Sequence, residues 1–209
     1  MSGHGHHGGG GHGHGRDQHG NPEDLEHYLE KLESPERIAW QKPDEVVAAL
    51  GLAQGAVACD LGAGAGYFTI RMARAVGQGG RVHAIDVEPR LLEILGRRTK
   101  EAGVSNVHPM LAKDGEAVPP EPCDLILIVN AFHHFADGAG TLRRLAAALK
   151  PGGRIANVDF HEGELPVGPP PEHKVSRAAF LAAVAQAGLA VADEKGFLPY
   201  QYFVLLRRG

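Results

Sequence analysis

Residues 60–66 read DLGAGAG, with glycine at every second position from 62 to 66. Gly62, Gly64 and Gly66 can take positive φ, and they let a ligand approach the backbone with no Cβ in the way. Such a turn serves a dinucleotide, a phosphate or a sulfonium-bearing methionine derivative. A dinucleotide fingerprint needs glycines spaced G-x-G-x-x-G. Counted from Gly62, its last position falls on Tyr67, whose ring would crowd a helix packed against the preceding strand. A Walker loop needs Lys-Ser/Thr after its glycines, and none follows here.

The acids narrow the choice further. Asp60 stands just before the first glycine, where its charge repels pyrophosphate but suits an ammonium, or a water bridging to one. Asp86 closes the segment RVHAID. At the carboxyl end of a strand, its two oxygens can accept hydrogen bonds from both hydroxyls of a ribose. A ribose without pyrophosphate, beside a cationic amino acid, describes S-adenosyl-L-methionine. The other titratable candidates also follow apolar runs. His133 and His134 come after CDLILIVN, Asp159 and His161 after RIANV, and His173 lies in the Pro-rich stretch GPPPEHKVS.

These groups need a scaffold, and the chain supplies one. Its 209 residues suffice for one well-buried domain plus an appendage. With 43% hydrophobic and 22% charged residues the composition is that of a soluble globular protein. From residue 56 strands and helices alternate, which argues for a parallel sheet covered on both faces. Strands are read at AVACDL, RVHAIDV, NVHPML, CDLILIVN and RIANVDF, with helices YFTIRMARAVG, PRLLEILGRRTKEAG and GTLRRLAAALK between them. A further helix, SRAAFLAAVAQAG, is capped by Ser176 and stopped by Gly188. The last two strands, AVADEKGF and YQYFVLLRR, are joined too closely for a parallel crossover and must pair antiparallel.

Ahead of this core, residues 22–54 read as a helical extension that could lid a pocket. A first helix starts at Pro22, with Asn21 as its N-cap and Leu25, Leu29 and Leu32 in a stripe; PERIAWQ and PDEVVAAL follow. Trp40, the single tryptophan, is expected to pin these helices to the core. Residues 1–21 hold mainly glycine, histidine and polar residues, and are expected to be disordered. Their imidazoles can take up a divalent metal adventitiously, without fixed geometry.

Residues 56–160 resemble the class I S-adenosylmethionine-dependent methyltransferases. DLGAGAG matches their glycine motif and AIDVEP their ribose-binding strand end. AKDGEAVP carries the acid that usually reaches adenine. CDLILIVNAFHHF looks like their fourth-strand motif, and LKPGGRIANVDF like the turn and strand that follow. The resemblance implies a Rossmann-like, doubly wound α/β domain over residues 55–209. Its seven-stranded mixed sheet would have order 3-2-1-4-5-7-6 with strand 7 antiparallel. It also implies residue roles: Gly62, Ala63 and Gly64 on the methionyl part, with Asp60 helping its amino group; Asp86 on the ribose and Val87 against adenine. Asp114 and Gly115 would meet the adenine edge, and Asn130 the sulfonium end. The cofactor would leave as S-adenosyl-L-homocysteine.

Methyl transfer is a direct displacement that depends mainly on alignment and on exclusion of water. A base is needed only if the acceptor arrives protonated, and His134, His133, Asp159 and His173 are the candidates. No pairing with metal-ligand spacing is expected among them. The acceptor is expected to be small and partly apolar, since a net charge of −4 with scattered basic residues gives no nucleic-acid footprint. Cys59 and Cys123 lie in apolar runs and are expected to be reduced and buried. No run approaches the roughly 20 residues of a membrane span, and no secretory h-region is present, which points to the cytoplasm. A competing reading keeps the pocket without turnover, as a methyltransferase-like ligand- or metal-binding protein.

Overall fold

The structure, a computed structural model, describes residues 29–30, 34–112 and 117–209. The histidine-rich tail, most of the first expected helix, and Asp114 with Gly115 lie outside the described residues. Two short helices open the described chain, α1 (Pro35–Gln41) and α2 (Pro43–Leu50). Each begins on proline, whose missing N–H falls where a helix has no acceptor for it. Gly51, in the left-handed region at φ 61°, ends the second.

Alternation follows as the sequence predicts. β1 (Val57–Leu61) leads to α3 (Thr69–Val76), β2 (Arg81–Asp86) to α4 (Pro89–Glu101), and then β3 (Val107–Leu111). β4 (Cys123–Val129) is followed by a 3-10 turn at Phe132–His134, by α5 (Gly138–Ala147) and by β5 (Leu149–Phe160). After α6 (Arg177–Gln186), whose N-cap Ser176 accepts from Ala179 N, come β6 (Leu189–Lys195) and β7 (Gln201–Arg208). The seven strands form one sheet in the order 3-2-1-4-5-7-6. The first five run parallel, and β7 pairs antiparallel with both β5 and β6.

The period-2 alternation of the strands divides the core between two faces. Leu125, Leu127, Ala156, Val158 and Phe203 pack with Val46, Leu50, Met72 and Val76 of α2 and α3. Ile126, Ile128, Ile155 and Val204 pack with Leu142, Leu145, Phe180 and Val184 of α5 and α6. Phe180 is fully buried in the second face, where truncation to alanine costs about 3–5 kcal/mol. Both cysteines are buried and free, and burial raises both thiols, Cys123 to about 12.

One local expectation is corrected. LKPGG reads as a turn before the fifth strand, yet β5 already includes it. Cys123 pairs with Leu149 and Leu125 with Arg154, so the extra residues of β5 are taken up as a bulge. Gly153 permits the close approach there, because a Cβ would sit 2.8 Å from the Cys123 carbonyl oxygen. Among the described residues, no helix is long and apolar enough to cross a membrane.

Candidate active site

The order of the sheet reverses between β1 and β4, and a cavity of about 270 Å³ opens there beyond the carboxyl ends of the strands. The glycine turn forms its floor. Gly62, Gly64 and Gly66 all have positive φ, at 80°, 53° and 92°. Gly62 N and Ala63 N both donate to Ile85 O, which knits the turn to β2. Glycine is required at 62 for a further reason: a Cβ would lie 2.8 Å from that of Ala131. The close approach that excludes a side chain is thus to the loop after β4.

Asp60, Gly62, Ala63 and Gly64 line one side of the cavity, and Asp86, Val87 and Asn130 also reach it. Asp86 has two functions. Its Oδ2 accepts from Gly64 N at 2.7 Å and its Oδ1 from Glu88 N at 2.9 Å, so it braces the turn while facing the cavity. Each carboxylate oxygen retains a second lone pair for a ligand hydroxyl. Burial pushes its carboxyl up from the ordinary range, against the pull of the backbone N–H groups. Beside it Val87 is 55% exposed, an apolar wall with its face to the opening. Asp114 and Gly115 are undescribed, but Ala112 and Ala117 on either side of them line the cavity.

Asp60 is buried and accepts from Thr69 Oγ1 at 2.6 Å. Desolvation dominates its environment and raises its carboxyl to about 6, with Thr69 and Arg37 opposing the rise. Asn130 is held at φ 53°, a conformation asparagine tolerates better than most residues. Its Oδ1 accepts from Gln201 Nε2 at 2.6 Å.

The histidines separate. His134 is exposed and lines the cavity. His133 packs against it with ring centres 4.0 Å apart and planes tilted by 50°, and brings Nδ1 to 3.6 Å from Oδ2 of the buried Asp159. That distance exceeds a direct hydrogen bond, and both atoms are buried without another partner among the described residues. His161 and His173 are exposed, and neither is among the residues lining the cavity.

Sequence reasoning missed Arg37 and Tyr67 as cavity residues. The Arg37 guanidinium lies over the Tyr67 ring at 3.9 Å, and Arg71 lies 4.6 Å from the same ring. The ring that disqualifies a dinucleotide fingerprint is therefore a platform for cations. Trp40 packs on Phe160 at 5.6 Å and Tyr200 at 6.5 Å, which pins α1 over the end of β5.

The wall thus offers a buried carboxylate for an ammonium, a second for ribose hydroxyls and apolar cover for a base. These donors and acceptors fit S-adenosyl-L-methionine. A family model described as a methyltransferase domain matches residues 52–196, more than half of the chain. A solved S-adenosylmethionine-dependent methyltransferase from Aquifex aeolicus superposes with TM-score 0.79 at 27% identity, covering 86% of this chain and 96% of that one. Among curated proteins, aklanonic acid methyltransferase DauC of a Streptomyces species is 33% identical over 115 residues, 53% of this chain and 52% of that protein. The ubiquinone/menaquinone biosynthesis C-methyltransferase UbiE of Vibrio vulnificus is 32% identical over 112 residues, 53% of this chain and 43% of its own length. The chain spans about half the length of these curated relatives. Strand order, motif placement and family match agree, and the cofactor is S-adenosyl-L-methionine. The chain belongs to the class I S-adenosylmethionine-dependent methyltransferases.

Proposed function

We propose that the protein transfers a methyl group from S-adenosyl-L-methionine to a small, partly apolar acceptor. The observation that carries this reading is the convergence of Asp60 and Asp86, from the ends of β1 and β2, on one cavity walled by Val87 and Asn130. The cofactor supplies a methyl already activated by a sulfonium, so the protein must align the acceptor and keep water out.

In this reading Asp86 accepts both ribose hydroxyls and Asp60 holds the ammonium. Gly62, Ala63 and Gly64 lie along the methionyl part, Val87 packs against adenine, and Asp114 with Gly115 meets its edge. Asn130, fixed from behind by Gln201, stands at the sulfonium end. For an acceptor that arrives protonated, His134 on the cavity wall accepts the proton, and His133 with Asp159 steadies its ring from the buried side. The names of DauC and UbiE, an aklanonic acid and a quinone-biosynthesis methyltransferase, support a small-molecule acceptor.

The test is incubation of the purified protein with methyl-labelled S-adenosylmethionine and a fractionated cell extract. Label should move into an organic-soluble, low-mass fraction, and Asp86→Ala should abolish the transfer. Label confined to protein or nucleic acid would contradict the acceptor class. Cofactor binding with no transfer to any fraction would favour the non-catalytic reading.

A further inference from the structure

Arg37 is a charged side chain only 7% exposed, yet it lines the cavity from α1 rather than from the sheet. Burying a guanidinium is costly unless it is held and hydrogen-bonded, so the surrounding groups matter. Beneath it is the Tyr67 ring, 3.9 Å from its central carbon. Behind it, Arg37 Nε donates to Gln41 Oε1. Gln41, fully buried, donates from Nε2 to Gln201 Oε1 at 3.2 Å. Gln201, 1% exposed, donates in turn to Asn130 Oδ1 at 2.6 Å. Each amide accepts through oxygen and donates through nitrogen, so the chain runs in one direction from α1 to the loop after β4.

The chain holds the guanidinium at the cavity that Asp60 also lines, and its charge favours the ionisation of Asp60. A buried carboxylate and a buried guanidinium lining one cavity complement an α-amino acid zwitterion, with ammonium against Asp60 and carboxylate against the arginine fork. We propose that Arg37 is the receptor for the α-carboxylate of the cofactor, with Gln41 and Gln201 as positioning residues that tie this contact to Asn130. The proposal rests on the cofactor reading above. It makes α1 part of the binding site, so this helix is fastened when the amino-acid end of the cofactor is bound.

The experiment compares calorimetric affinities for S-adenosylmethionine and for its decarboxylated form, which keeps the nucleoside, sulfonium and amine. The wild type should favour the carboxylated ligand about 10- to 100-fold, the range of a charge-assisted hydrogen-bond pair. Arg37→Met should remove that preference by weakening S-adenosylmethionine far more than the decarboxylated form. Equal binding of the two ligands by the wild type overturns the proposal, and needs no variant to fold. A well-folded Arg37→Met that weakens both ligands equally, or weakens neither, also overturns it. If the wild type binds neither ligand, the cofactor reading itself fails and carries this proposal with it.

Discussion

Thr69 Oγ1 donates to Asp60 Oδ2 at 2.6 Å, tying the start of α3 to the end of β1 beneath the glycine turn. The carboxyl so held stands at about 6, because burial disfavours its charge more than Thr69 and Arg37 support it. A carboxyl at about 6 puts Asp60 within the pH range where binding and stability are readily measured.

An ammonium ligand favours ionised Asp60, so affinity for S-adenosylhomocysteine should rise with pH up to about 6 and then level off. Well below that point the slope approaches about tenfold per pH unit. Thr69→Val removes the opposing hydrogen bond, so the plateau should begin at a higher pH. Calorimetry across the range checks both, and a flat profile in the wild type would refute the role given to Asp60.

Without ligand the sign for stability is reversed. The folded carboxyl titrates at about 6 against an ordinary 3.8, so the folded protein holds the proton more tightly than the unfolded chain. Stability contributed by this group is present below 3.8 and is lost as pH rises toward 6. Asp60→Asn should flatten that part of the denaturation profile. A slope unchanged in the variant would mean another group is responsible.

Gly62→Ala should destabilise the protein by about 2–4 kcal/mol, from a left-handed backbone and a collision with the Ala131 side chain. Adding Ala131→Gly should restore about 1 kcal/mol by removing the collision and leaving the backbone strain. Denaturant unfolding of the single and double variants separates the two. A double variant no more stable than Gly62→Ala alone would show that the contact is not the cause.

Asp86→Ala deletes a ligand acceptor and leaves Gly64 N and Glu88 N without their carboxylate. We expect cofactor affinity to fall by about 100-fold or more, with a stability loss of about 1–3 kcal/mol. Calorimetry with thermal unfolding gives both values, and near-native affinity in the folded variant would remove Asp86 from the ribose site.

His134→Ala should lower kcat by about 100-fold or more on an acceptor that must lose a proton, with cofactor affinity changed less than about twofold. Asp159→Asn, acting through His133, should give a smaller loss and shift the pH profile of kcat. Steady-state kinetics on the acceptor found by label transfer decides this. Equal losses in kcat and cofactor affinity would assign His134 to the framework.

How much of the site was legible before folding depends on the sequence distance between cooperating groups. The place of Asp60, Gly62, Gly64 and Asp86 at the cavity could be read because each lies within a few residues of a strand end, and a strand end has a known place in a doubly wound sheet. The neighbours His133 and His134 could not be told apart in this way. The 3-10 turn after β4 places one against Asp159 and the other on the cavity wall, and neither position follows from residue type.

The sequence by itself determined the alternation of strands and helices, the closing antiparallel pair and the chemistry of the glycine turn. All of these depend on local periodicity, on backbone freedom and on charge next to a turn. Only the tertiary structure decided that Arg37 and Gln41 from a short leading helix, and Gln201 from the last strand, form one hydrogen-bonded chain that ends on Asn130. Gln41 and Gln201 lie 160 positions apart, and what joins them is the requirement that buried amides find partners once the sheet brings its ends together.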